Sequence, residues 1–250
     1  MSKRDPLPPR TYVPLNRALS KLGIASRTQA RDLISRGEIS VHGEVCRDPD
    51  RPVDIETASI SRFDKQLARA PRTVVMLYKP RGIITSRADE QGRPTVYSLL
   101  PENFQNLHSV GRLDWATSGL LLLTNDTALS SWLTDPRTGI GRVYTVTVRG
   151  EMTEIDADKM RKGMVEGNET LTANSVIVRK TSRRESHLVL TLTEGKNREI
   201  RRMCKALGHE VTRLKRVSFG SLTLGNLQPG LYRKVSAEEL KTAFPGAADA

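Results

Sequence analysis

The stretch GRLDWATSGLLLLTND, residues 111–126, sets Arg112 and Asp114 two positions apart, just ahead of four consecutive leucines. A carboxylate held still at the mouth of a buried strand can attack a carbon or take a proton, because an aspartate side chain is anionic at neutral pH. The same residue type also caps turns through a bond to nearby backbone, the commonest task of a loop aspartate. The local sequence leaves both open. A second stretch with chemical content is EGKNREIRRMCKALGH, residues 194–209. On a helix, Ile200, Met203, Cys204 and Leu207 form a buried stripe, and Arg198, Arg201, Arg202 and Lys205 repeat that spacing one step round. Cys204 is therefore read as a small core residue, not a nucleophile. Between Gly195 and Gly220 stand eight basic residues against two acidic ones, half of the whole chain's excess of positive charge.

These side chains need elements to hold them. Gly111 permits a tight turn and Leu120–Leu123 reads as a buried strand, so Asp114 belongs to the loop feeding that strand. RVYTVTVRG sets Tyr144, Val146 and Val148 on one face, and SHLVLTLTEG does the same with Leu188, Leu190 and Leu192. Such alternation signals sheets with one face less buried, an antiparallel habit. Helical patterns fall at 127–133, 154–160, 197–207 and 237–244. The fold class expected is α+β: a small α-rich N-terminal module, then a larger domain with a mixed, largely antiparallel sheet flanked by helices.

In the N-terminal part, Leu15, Leu19 and Leu22 share one helix face. Ser26 and Gln29 form a capping box opening a second helix that Gly37 ends. A strand at Ile39–Val41 turns at His42-Gly43. Arg17 and Lys21, then Arg27 and Arg31, occupy what the apolar stripes leave free, either as solvated faces or as a surface for phosphates. The expected division is an arm at 1–12, a small module at 13–60, a linker at 61–72, a large domain at 73–244 and a frayed tail at 245–250.

Across 250 residues, 40 Lys and Arg against 28 Asp and Glu give a net charge of +12, which suggests a polyanionic partner, nucleic acid first. Two widely spaced cysteines give neither a disulfide framework nor a zinc site. The polar, proline-rich start lacks the apolar core of a signal peptide, and no apolar run approaches a membrane span. A cytoplasmic protein without membrane attachment, acting as a monomer, is expected.

LNRALSKLGIASRTQARDLISRGEISVHGEV resembles an S4 domain, a module that binds structured RNA. The blocks MLYKPRG, GRLDWATSGLLLLTND, RVYTVTV and LTLTEGKNREIRRM, in this order, resemble the RsuA/RluB/RluE/RluF family of ribosomal RNA pseudouridine synthases. The resemblance implies isomerisation of uridine to pseudouridine in ribosomal RNA, with neither metal nor organic cofactor. It makes Asp114 the catalytic carboxylate, Arg201 its ion-pair partner, Tyr144 the ring stacked on the uracil, and Ile200 the apolar floor of the pocket. By the same analogy Arg112 fills the space that the flipped base vacates. Arg17, Lys21, Arg27, Arg31, Lys79, Arg198, Arg202 and Lys205 would contact RNA, while Trp115 and Ser118 read as packing and turn residues. EGKNREIRRM leans toward the large-subunit enzymes. The rival readings are a small-subunit target, a non-catalytic RNA-binding assembly factor, and a glycoside hydrolase. The last would need two carboxylates about 5–9 Å apart, and Asp114 has no acid partner at a telling spacing.

Overall fold

The computed structural model describes residues 12–247, which divide into two compact units. The expected N-terminal arm lies outside the described residues except for Tyr12. The first unit spans residues 12–73, with short contributions from 106–108 and 125–127. It runs β1 (Tyr12–Pro14), α1 (Leu15–Lys21), α2 (Arg27–Ser35), β2 (Ile39–Val41), β3 (Glu44–Cys46), β4 (Pro52–Asp54), β5 (Ile60–Arg62) and β6 (Lys65–Gln66). Leu15, Ala18 and Leu19 from α1 pack with Ala30 and Ile34 from α2 over Ile39, Val41 and Ile60. The Ser26–Gln29 capping box forms as the sequence indicates, so α2 starts where its orphan backbone donors are met. Ser61–Arg72 is not a plain linker: β5 and β6 pair antiparallel, in the sheet order β3-β2-β5-β6. Its strands are two and three residues long, too short to show a period.

The second unit, apart from His108 and Thr127, continues with β7 (Val74–Lys79), β8 (His108–Ser109), β9 (Ser118–Thr124), α3 (Thr127–Thr134), β10 (Arg142–Arg149), α4 (Glu154–Lys162), β11 (Met164–Glu166), β12 (Glu169–Leu171), β13 (Ser175–Thr181), β14 (Glu185–Leu192), α5 (Glu199–Ala206), β15 (Val211–Phe219), β16 (Leu222–Thr223), β17 (Tyr232–Lys234) and α6 (Ala237–Ala243). The main sheet runs β13-β14-β10-β15-β9-β7-β17. All of these pairs are antiparallel except β15 with β9, so the sheet is mixed.

Four leucines run together because β9 is a central strand covered on both faces. Leu120 and Leu122 join Leu129, Leu133, Phe219, Leu240 and Phe244 in one core, while Leu121 and Leu123 are fully buried on the other side. Where β9 meets β15, Gly119 sits at φ +115°, and a Cβ there would stand 2.1 Å from the Arg216 carbonyl oxygen. Only glycine lets the two backbones approach so closely. The tail is not frayed at its start, because Ala247 is buried in the core with Phe244.

Candidate active site

Asp114 lies in the loop between Val110 and β9, and that loop is held from below. Gly111 takes φ +69°, and Leu113 is buried with its N–H and C=O both bonded to the Thr85 hydroxyl. Four successive carbonyls are then claimed. The Asp114 oxygen accepts from Thr117 N–H at 3.0 Å and Lys79 Nζ at 3.1 Å. The Trp115 oxygen accepts from Gly82 N–H, the Ala116 oxygen from Arg201 Nη2, and the Thr117 oxygen from Lys79 Nζ at 2.8 Å. Lys79 also donates to Pro80 O and has no exposed surface. The expectation that Lys79 touches RNA is therefore wrong: its ammonium lies beneath the loop, positioning Asp114. Burial pulls its pKa down to about 8, against an upward pull from Asp114.

The Asp114 carboxylate is one-third exposed and faces two guanidinium groups, Arg198 Nη1 at 3.7 Å and Arg201 Nε at 3.8 Å. Both separations exceed hydrogen-bonding distance. Arg201 and Arg198 both face Asp114 at ionic distance. The hydrogen bonds of Arg201 go to Val211 O and Ala116 O, which leaves its Nε buried without one. Burial, then the neighbouring Arg198, pulls the Arg201 pKa below its ordinary value, while Asp114 pulls it up. Arg198 stands just before α5 in the left-handed region at φ 49°, which delays the helix to Glu199. Such a conformation costs a non-glycine residue of order 1–3 kcal/mol and persists where surrounding contacts enforce it.

Asp114 opens onto a cavity of about 290 Å³ lined also by Arg112, Tyr144, Ile200, Leu192 and Phe219. Tyr144 projects from β10, directly opposite Leu190 on β14 and Arg216 on β15. Tyr144 and Ile200 are buried, whereas Arg112 is exposed. The arrangement suits a flat ring delivered to a carboxylate, with apolar side chains and charged groups both in reach.

The sequence reading missed several charged residues of this cavity. Arg142 is buried, donates to Thr193 O and Leu133 O, and lies 4.8 Å from the centre of the Phe219 ring. Arg216 is buried 5.3 Å from the centre of the same ring and donates to Leu120 O. Glu199 accepts from Lys196 N–H, and Lys196 Nζ stands 2.7 Å from Glu194. Burial, then Glu194, pushes the Glu199 carboxyl up to about 7. Burial also opposes ionisation of Glu194, but Lys196 and Glu199 outweigh it and hold that carboxyl below the ordinary range. No spacing announces these pairings, because a charged letter reads the same whether it meets solvent or a partner.

The remaining basic residues separate into two groups. Arg17, Lys21, Arg27 and Arg31 are exposed on α1 and α2, Arg31 beside Asp50 at 3.0 Å. Lys205 is exposed on α5. Arg202 is engaged by Glu166 and by Glu169 at 2.7 Å, so it is a bracket between α5 and the β11–β12 hairpin; its reading as an RNA contact is corrected. Cys204 has no exposure, and burial pushes its thiol up to about 12, so it is an inert core residue. Ser118 opens β9 and donates to Leu214 O. Trp115, read as a packing residue, stands 57% exposed.

The sequence profile described as RNA pseudouridylate synthase matches residues 73–206, and the S4 domain profile matches residues 13–58. The chain is 33% identical to ribosomal large subunit pseudouridine synthase B of Bacillus subtilis, over 91% of this chain and 93% of that one. It is 34% identical to the protein of the same name from Yersinia pestis, over 88% and 70%. A solved structure described as a pseudouridylate synthase superposes with a TM-score of 0.65 at 27% identity, covering 92% of this chain and 98% of that one.

Proposed function

The chain belongs to the RNA pseudouridylate synthase family and is an RNA pseudouridine synthase with an S4 domain; from that premise we propose that it isomerises one uridine of large-subunit ribosomal RNA, with Asp114 acting at the ribose. The observation that carries this reading is a carboxylate faced by Arg198 and Arg201 at the edge of a cavity containing Tyr144 and Ile200. The reaction breaks the C1′–N1 bond, turns the uracil, joins C1′ to C5, and moves a proton from C5 to N1. Every atom is retained. Asp114 either attacks C1′ or takes the C2′ proton, and both routes start from the carboxylate. Tyr144 stacks on the ring and Ile200 supports it.

A uridine in a folded RNA must leave its stack to reach the cavity. Arg112, exposed on the adjoining turn, occupies the gap and holds phosphate. Residues 13–60 form the RNA-binding module through Arg17, Lys21, Arg27 and Arg31, and residues 73–244 form the catalytic domain with Arg198 and Lys205 as further phosphate contacts. The large-subunit target rests on the relatives named for it. Action as a monomer in the cytoplasm is part of the proposal; among the described residues no helix is long and apolar enough to cross a membrane.

Mapping pseudouridines in ribosomal RNA from cells lacking this protein tests the target: one large-subunit site should disappear, and loss from the small subunit instead would overturn the assignment. Asp114→Asn should abolish product formation while RNA affinity stays within a few-fold of the parent. Retained turnover would show that another group does the chemistry.

A further inference from the structure

Trp115 directly follows Asp114, and its position is the reverse of what an apolar side chain favours. Trp115 is 57% exposed, and its ring makes no ring–ring or cation–ring contact among the described residues. A single exposed aromatic on a loose loop needs no explanation. This loop is not loose. The carbonyls of Asp114, Trp115, Ala116 and Thr117 are each bound, by Thr117 N–H and Lys79, by Gly82 N–H, by Arg201 and by Lys79 respectively. The backbone is thus fixed on both sides of the indole.

The surroundings are cationic. Arg81 precedes the Gly82 whose N–H binds Trp115, and it is exposed; Arg112 is exposed on the same loop; Arg198, with its side chain half exposed, faces Asp114. A flat aromatic held in solvent beside cations suits a nucleobase flanked by phosphates: bases of any sequence present a π face, and guanidinium groups follow the backbone. Because Trp115 is the immediate neighbour of Asp114, the base it meets is that of a nucleotide adjoining the one whose ribose reaches Asp114.

Building on the uridine-isomerising reading above, we propose that Trp115 is a preformed stacking platform for a nucleobase flanking the target uridine. The site then binds at least two nucleotides, one in the cavity and one outside on the indole. Rigidity matters to this role, since a platform already in place loses little freedom on binding.

The test compares the protein with its Trp115→Ala and Trp115→Phe variants, using a twelve-residue oligouridylate and an abasic ribose-phosphate oligomer of equal length. Binding of each is followed by anisotropy, and Trp115 emission is isolated as the difference between the parent and Trp115→Phe. Oligouridylate should quench that emission at saturation and the abasic oligomer should not. Trp115→Ala should bind oligouridylate roughly 5- to 100-fold more weakly, with Trp115→Phe in between and all three alike on the abasic oligomer. Absence of quenching at saturation, or equal loss on both oligomers, would overturn the platform. The same titration in Asp114→Asn separates the two readings: quenching there does not depend on turnover, so failure of the chemistry and failure of the platform give different results.

Discussion

At the scale of single residues, two buried titratable groups make distinct predictions. Glu199 has a folded-state pKa raised from 4.5 to about 7, chiefly by burial. Below about 4.5 its carboxyl is protonated in both folded and unfolded chains; between 4.5 and 7 the unfolded chain gives up its proton first. Stability from this group therefore falls as pH rises through that window and stays low above it. Glu199→Gln should flatten the corresponding part of a Tm-against-pH curve; an unchanged slope between pH 5 and 7 would remove Glu199 as its origin. Lys79 is different, because its value lies in what it holds. Lys79→Met keeps the side-chain volume but leaves buried carbonyls without their donor, which costs stability. The carbonyls are those of Pro80, Asp114 and Thr117. Single-turnover measurement, made well below the lowered Tm, should show the rate constant for chemistry down at least about tenfold.

At the scale of elements, the site depends on two strands meeting in parallel. β9 leads out of the Asp114 loop and β15 carries Arg216, and the two meet at Ser118 with Lys215 and at Gly119 with Arg216. Gly119→Ala puts a methyl against the Arg216 carbonyl in a backbone region that L residues rarely adopt. Its cost should exceed about 3 kcal/mol, lowering Tm by about 10 °C in a calorimetric scan. The α5 start is a second junction: Arg198 in a left-handed conformation, Arg201 bonded to Val211 and Ala116, and Arg202 bracketed by two glutamates orient one helix toward one loop.

For the whole molecule, net positive charge is the property that bears on RNA binding. Net charge of +12 favours RNA through release of counterions, so binding weakens steeply with salt. Arg17 and Lys21 are exposed, with no ion pair among the described residues. Replacing both with Ala should reduce the slope of log binding constant against log salt by about 1.5, measured with a large-subunit ribosomal RNA fragment. Turnover of bound RNA should be unaffected, since neither residue adjoins the cavity. An unaltered slope would mean that α1 does not contact phosphate.

Much of this was legible in the chain because it depends on local pattern. Alternation along RVYTVTVRG and SHLVLTLTEG announces their strands; the Ser26–Gln29 box marks where α2 begins, and the stripe Ile200, Met203, Cys204 fixes the buried face of α5. Asp114 is in a loop by the same logic, as a charged residue between a glycine turn and an apolar run. The use of each charge was not legible. Lys79 reaches Asp114 O across 35 residues and Arg201 reaches Ala116 O across 85. Arg142, Arg216 and Glu199 take buried places that their letters argue against. Burial periodicity is a property of neighbours along the chain, so the sequence alone determines strands, helices and the loop that bears the carboxylate. Whether a cation meets RNA, holds a loop or lies under a ring depends on what folding brings beside it, and only the tertiary structure decided that.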